Sequence, residues 1–180
     1  MRHLLIMLPV ALAACGSGPS VDAENASVAE VNEKVKAAGG TNFLTPGQWQ
    51  STVTVSKMDM PGLPPEVMRQ MQGELTKPRQ TSSCLTPQDA KKPAADFFAG
   101  KDSKECRYDH FRMAGGKLDA KMTCNSGGAA MVAAFDGTYA PETFKLNMTM
   151  KGAAGGTTPM PDMALTVDAR RTGECTAKAG

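Results

Sequence analysis

Cysteine is the residue whose placement in this chain implies the most chemistry. Met1-Arg2-His3 supplies a short cationic start, Leu4 to Ala14 is an apolar run, and Leu12-Ala13-Ala14-Cys15 sets small residues before a thiol. Such a run is too short to span a bilayer and has the size of a signal-peptide core. The order implies cleavage before Cys15 and acylation there, so residues 1–14 are expected to be a lipoprotein signal peptide and Cys15 the lipidation site. Residue 16 is glycine rather than aspartate, which points to the periplasmic face of the outer membrane.

Four cysteines remain beyond the anchor, Cys84, Cys106, Cys124 and Cys175. An even set in an exported chain predicts two disulfides. No C-x-x-C occurs, and His110 is the one histidine after the signal, so a zinc site has no ligand pattern to stand on. His110 also has no serine, cysteine or metal motif near it in sequence, and a structural role is the expectation. Asp59 and Glu66 are carboxylates in a loop region with no evident partner, so no catalytic residue is assigned and no enzyme is expected.

Methionine is the second suggestive residue type, with 13 in the chain. Met58-Asp59-Met60 and Met160-Pro161-Asp162-Met163 flank prolines, and thioethers suit Cu(I). Met58, Met60, Met160 and Met163 are therefore candidate copper ligands. Met148 and Met150 instead continue a strand face with Phe144 and Leu146 and read as core. The charge balance offers no surface for nucleic acid: the formal net charge is +2, falling to +1 once Arg2 is removed with the signal.

These residues need elements to position them. Residues 15–44 read as a lipidated flexible tether, Gly16-Ser17-Gly18-Pro19-Ser20 being its most mobile part. Ser27-Val28-Ala29-Glu30 within it matches a capping box, with Val28, Val31 and Val35 at helical spacing, so a short helix resting weakly on the domain is expected. From Thr45 the apolar period becomes two, and Trp49, Ser51, Val53 and Val55 share a strand face. Cys106–Met113 and Lys117–Cys124 flank Ala114-Gly115-Gly116 as a hairpin. Met131–Tyr139 and Thr143–Lys151 form a second, and Met163–Arg170 a final strand. Helices are expected over Val67–Leu75, opened by Pro64-Pro65-Glu66, and from Thr86 to near Gly100, which Pro93 shortens or kinks. The fold class is all-β: an antiparallel meander of about seven strands, curved or partly closed like a barrel, with two short helices, in one domain over 45–176 before a tail at 177–180.

Placing Cys106 opposite Cys124 in the first hairpin sets Tyr108 against Met122, Asp109 against Lys121, His110 against Ala120 and Arg112 against Leu118. A Cys106–Cys124 disulfide follows, and Cys84–Cys175 by elimination. A strict meander sends the final strand away from Cys106, so either the chain doubles back through Gly173 or the Cys84 strand is inserted elsewhere, beside the last strand.

Pro46-Gly47-Gln48-Trp49, Met60-Pro61-Gly62-Leu63-Pro64, Cys84-Leu85-Thr86-Pro87, Met122-Thr123-Cys124 and Arg170-Arg171-Thr172-Gly173-Glu174-Cys175 together resemble the bacterial envelope family catalogued as domain of unknown function 3617, over Thr45 to Cys175. Gln48 and Gln50 depart from it, standing where members often carry an apolar residue and a glutamate. The resemblance implies an exported domain with no established activity and no cofactor. The expected function is then a membrane-anchored envelope lipoprotein whose curved sheet binds an apolar small molecule or another envelope component. Met-mediated copper(I) binding, a purely structural envelope role or an uncharacterised hydrolase are the alternatives.

Overall fold

The computed structural model describes residues 19–40, 43–92, 103–126, 129–152 and 160–176. The signal segment, Cys15 and the tail at 177–180 lie outside the described residues. Eight strands are found among those described: β1 (Val21–Ser27), β2 (Gly47–Asp59), β3 (Arg79–Leu85), β4 (Cys106–Ala114), β5 (Lys117–Ser126), β6 (Ala129–Ala140), β7 (Thr143–Gly152) and β8 (Asp162–Gly173). They form one antiparallel sheet in the order β1-β4-β5-β6-β7-β8-β2-β3. β1 and β3 are its two edges, so the sheet is not closed into a barrel.

Strands β4 to β8 are the expected meander, built from hairpins. Ala114 pairs with Lys117, leaving Gly115 and Gly116 as a two-residue turn with φ of 56° and 74°. Both central residues need positive φ in this turn, and its twist matches that of the strands it joins. Ala114, expected in the connection, belongs to the strand.

The hairpin register holds for Cys106–Cys124 and Tyr108–Met122 and then shifts, so that His110 faces Lys121 and Phe111 faces Ala120. Asp109 is the extra residue of a bulge. Beyond it the alternation changes phase: Phe111 and Met113 point into the core at 0% and 1% exposure, and His110 and Arg112 turn outward. The expected His110–Ala120 and Arg112–Leu118 pairs are thereby corrected. The physical reason is burial: without the bulge a histidine and an arginine would occupy the core face while Phe111 and Met113 met water. Asp109 still lies 3.0 Å from the Lys121 ammonium, as anticipated.

The segment expected to be a tether contributes to the fold from Val21 onward. β1 pairs with β4, Val21 opposite Met113 and Ser27 opposite Arg107, and adds the eighth strand. It runs directly into helix α1 (Val28–Ala37), whose start is the capping box read from the sequence: Glu30 N–H donates to Ser27 Oγ at 3.2 Å and Ser27 N–H to Glu30 Oε2 at 2.6 Å. The Ser27 N–H, and with it the Ser27 hydroxyl donating to the same Oε2 at 2.8 Å, hold the Glu30 carboxyl below the usual carboxylate range. The valine stripe does not rest weakly. Val28, Val31 and Val35 are exposed by 3%, 0% and 0% and share one core cluster with Tyr108, Phe111, Met113 and Met122.

Helix α2 (Pro65–Leu75) forms where expected, with proline in its first turn. The second expected helix does not extend as drawn. Thr86 Oγ1 accepts from Asp89 N–H at 3.1 Å, but the described residues form only a 3₁₀ turn over Asp89–Lys91, with Gln88 rather than Thr86 at its N-cap position, and 93–102 lie outside the described residues. Thr86 and Lys92 around it hold the Asp89 carboxyl below its usual range, the Lys92 hydrogen bond being the larger cause.

Candidate functional site

The face of the sheet that carries α1 is the inner face, and cross-strand pairing allows it to be followed row by row, since directly opposed residues point the same way. On the α1 side it is dry: Tyr108, Phe111, Ala120, Met122, Ala133 and Phe135 are all buried. Across β7, β8 and β2 it continues with Met148 opposite Leu165, Leu165 opposite Val55, and Leu146, Val167 and Val53 in the next row. Apart from Leu146, these residues are only half-buried. On β8 the inner positions Met163, Leu165, Val167 and Ala169 span roughly 20 Å at the rise of a strand. The result is an apolar strip, long and about three strands wide, that α1 does not seal.

Methionines concentrate at one end of this strip. Met58 on β2 stands directly opposite Met163 on β8, and Met163 directly opposite Met150 on β7. A register irregularity between Val55 and Lys57 makes this row, because it changes the phase of β2 so that Met58, rather than Lys57, shares the face of Val55. Nearby, α2 lies against the part of β2 that extends past β3, with Gln72 Nε2 donating to the Met58 carbonyl at 2.8 Å. Met68 on that helix is buried.

Of the four methionines singled out in the sequence, Met58 and Met163 are brought together, in strands rather than in loops. Met60 and Met160 lie in the connecting segments, outside the row. Met150, read from the sequence as core, completes it. No local pattern could reveal that, because three strands separated by up to 105 positions of chain supply the row.

The other end of the sheet gathers Pro46–Trp49, the Cys84 segment and Arg170–Cys175 into a clasp. Cys84 and Cys175 are bonded there, with Cα atoms 5.4 Å apart, whereas the Cys106–Cys124 bridge, with Cα atoms 4.0 Å apart, lies at the methionine end of the sheet, next to the row of Met122 and Met150. The topological conflict resolves because β3 lies against β2, which itself pairs with β8. The Cys84 strand is thus beside the last strand's neighbour and far from β4. Arg171, with a side chain 15% exposed, donates from Nε to the Pro46 carbonyl at 2.8 Å and forms ion pairs with Glu142 and Glu174. Gly47, at φ 146°, permits this approach; a Cβ there would run into the Gly173 carbonyl and the Arg171 guanidinium. Trp49 is 3% exposed, donates from Nε1 to the Thr45 carbonyl at 3.0 Å and packs with Leu44, Ala169 and Phe144.

Between clasp and main core lies an apolar crevice bounded by Phe43, Leu44, Leu118, Tyr139, Phe144 and Leu146, with a volume of about 20 Å³. That is room for about one water molecule, against several hundred Å³ for an ordinary ligand pocket. Burial pushes the Tyr139 hydroxyl there above the usual phenol range. Hollows of about 380 and 410 Å³ have mixed polar and apolar linings, which include Gln50, Gln80 and Arg170, or Lys104, Asp109 and Asn125.

Residues 44–175 match the family described as a protein of unknown function, DUF3617. The chain belongs to the DUF3617 family. No curated protein and no solved structure matches it. The matched region contains both disulfides, the clasp and the methionine row of this DUF3617 protein, whereas β1 and α1 precede it and yet supply core.

The remaining candidates are dispersed. His110, expected opposite Ala120, is turned outward by the bulge, with Nε2 2.8 Å from Asp119 Oδ1. Asp59 lies opposite Asp162 at the strand ends, and Glu66 is exposed on α2, 3.9 Å from Arg69. Among the described residues, no three His, Cys, Asp or Glu side chains are grouped as metal ligands, and no helix is long and apolar enough to cross a membrane.

Proposed function

We propose that this DUF3617 protein is a lipid-anchored envelope protein that holds one acyl or alkyl chain on the inner strip of β7, β8 and β2. The observation that carries the reading is the half-buried run of Val53, Val55, Met148, Leu165 and Val167 on a face whose other half is dry. Contiguous apolar surface left open on a soluble fold marks a binding surface, and flexible methionines adapt to a chain without fixed shape. A strip of roughly 20 Å by three strands suits an extended hydrocarbon better than a bulky ring system. Leu12-Ala13-Ala14-Cys15 supports the anchor, and Val21 begins β1 six residues later. Six extended residues reach about 20 Å, which would keep that end of the sheet close to the bilayer surface.

The test uses the chain from Gly16 onward, which retains every described element, and a fluorescent fatty acid as probe. Saturable micromolar binding is expected, lost in Leu165→Gln and kept in Thr166→Gln, which alters the outer face of the same strand. Absence of saturable binding, or equal loss in both variants, refutes the strip. Separately, Cys15→Ser in cells should abolish fatty-acid labelling and release the protein from membranes; unchanged labelling refutes the anchor.

A further inference from the structure

We propose that Met58, Met163 and Met150 form a thioether site for a soft monovalent cation of the Cu(I) type. The three residues occupy directly opposed positions on three neighbouring strands, so their Cβ atoms follow one another at about 4.5–5.5 Å on one face. Each thioether swings on three rotatable bonds, which lets the outer two lean toward an ion held above Met163. All three are half-buried, open enough for an ion to enter and shielded enough to exclude part of its water. Neutral sulfur donors select soft Cu(I) over Zn(II), Mg(II) or Ca(II). The backbone is arranged to present them: the irregularity after Val55 turns Met58 to this face, and Gln72 fixes its carbonyl. Packing alone would be served equally by leucine, and that equivalence is the basis of the test.

Cu(I) is titrated into the chain from Gly16 onward, anaerobically and with ascorbate as reductant, against a chromophoric Cu(I) chelator. Ag(I) is the second probe, followed by the ¹³C-methyl signals of methionine. We expect a Kd below micromolar, and shifts confined to the methyls of Met58, Met150 and Met163 with smaller changes at their neighbours. The triple variant Met58→Leu, Met150→Leu, Met163→Leu conserves volume and should lose at least 100-fold in affinity, whereas Met60→Leu with Met160→Leu should lose none. Because thioethers do not titrate, affinity should stay level between pH 7 and pH 5, unlike a histidine site. Binding no tighter than micromolar, full affinity in the triple leucine variant, or shifts centred on Met60 and Met160 each overturn the site. Should the triple variant fail to fold, the Ag(I) methyl shifts of the parent decide. Leu165→Gln, which lies outside the methionine row, should abolish fatty-acid binding and leave Cu(I) affinity unchanged, so the metal site and the acyl strip fail independently.

Discussion

Cutting the chain at residue 44, where the family match begins, should destroy rather than isolate the domain. Such a cut removes β1 and α1 and with them the buried side chains Val21, Val28, Val31 and Val35. A fully buried valine is worth about 1.5–3 kcal/mol, so the three helix valines alone contribute roughly 5–9 kcal/mol before realistic unfolded states reduce the figure. Domains of this kind have a total stability of about 5–15 kcal/mol. The cut also uncovers Tyr108, Phe111 and Met113, three of the largest fully buried side chains, and leaves the β4 edge without its partner. Urea unfolding of chains beginning at Gly16 and at Leu44, followed by Trp49 fluorescence and near-ultraviolet circular dichroism, measures the difference. The longer chain should unfold cooperatively; the shorter should show a shallow or absent transition and bind a hydrophobic dye. A cooperative transition in the shorter chain within about 1 kcal/mol of the longer would refute the claim that this segment belongs to the core.

Trp49→Ala should destabilise by about 3–5 kcal/mol, read from the urea midpoint, because the indole is buried against Phe144 in the clasp. Stepwise reduction with alkylation and peptide mapping should open Cys84–Cys175 first, since Cys84 is exposed while Cys106 and Cys124 are both buried; simultaneous opening would argue against that asymmetry. Loss of the long-range bridge should cost about 2–5 kcal/mol. The raised Tyr139 pKa means the native state favours the neutral phenol, so its stabilising contribution is full below about pH 10, the unfolded value, and is lost as pH rises through the folded one. Tyr139→Phe should flatten that alkaline loss in urea midpoints measured from pH 8 to 11.

Local signals in the sequence determined the elements that depend on neighbours along the chain. Ser27 and Glu30 specify the start of α1 whatever lies around it, Gly115-Gly116 marks the turn between β4 and β5, and alternation marks Trp49 and the Phe144 strand. Parity and one hairpin were enough to pair Cys106 with Cys124 and hence Cys84 with Cys175. Tertiary structure decided what depends on choosing between faces. Asp109 bulges because Phe111 and Met113 must reach the core, and no residue near it announces an extra position. Val21–Ser27, with Asp22, Glu24 and Asn25 interrupting its apolar residues, carries too little pattern to read as a strand and becomes one because β4 offers it an unpaired edge. Met58, Met163 and Met150 become neighbours only once β2 crosses the chain order to lie beside β8, since sequence fixes what each strand is while pairing across the sheet fixes which side chains meet.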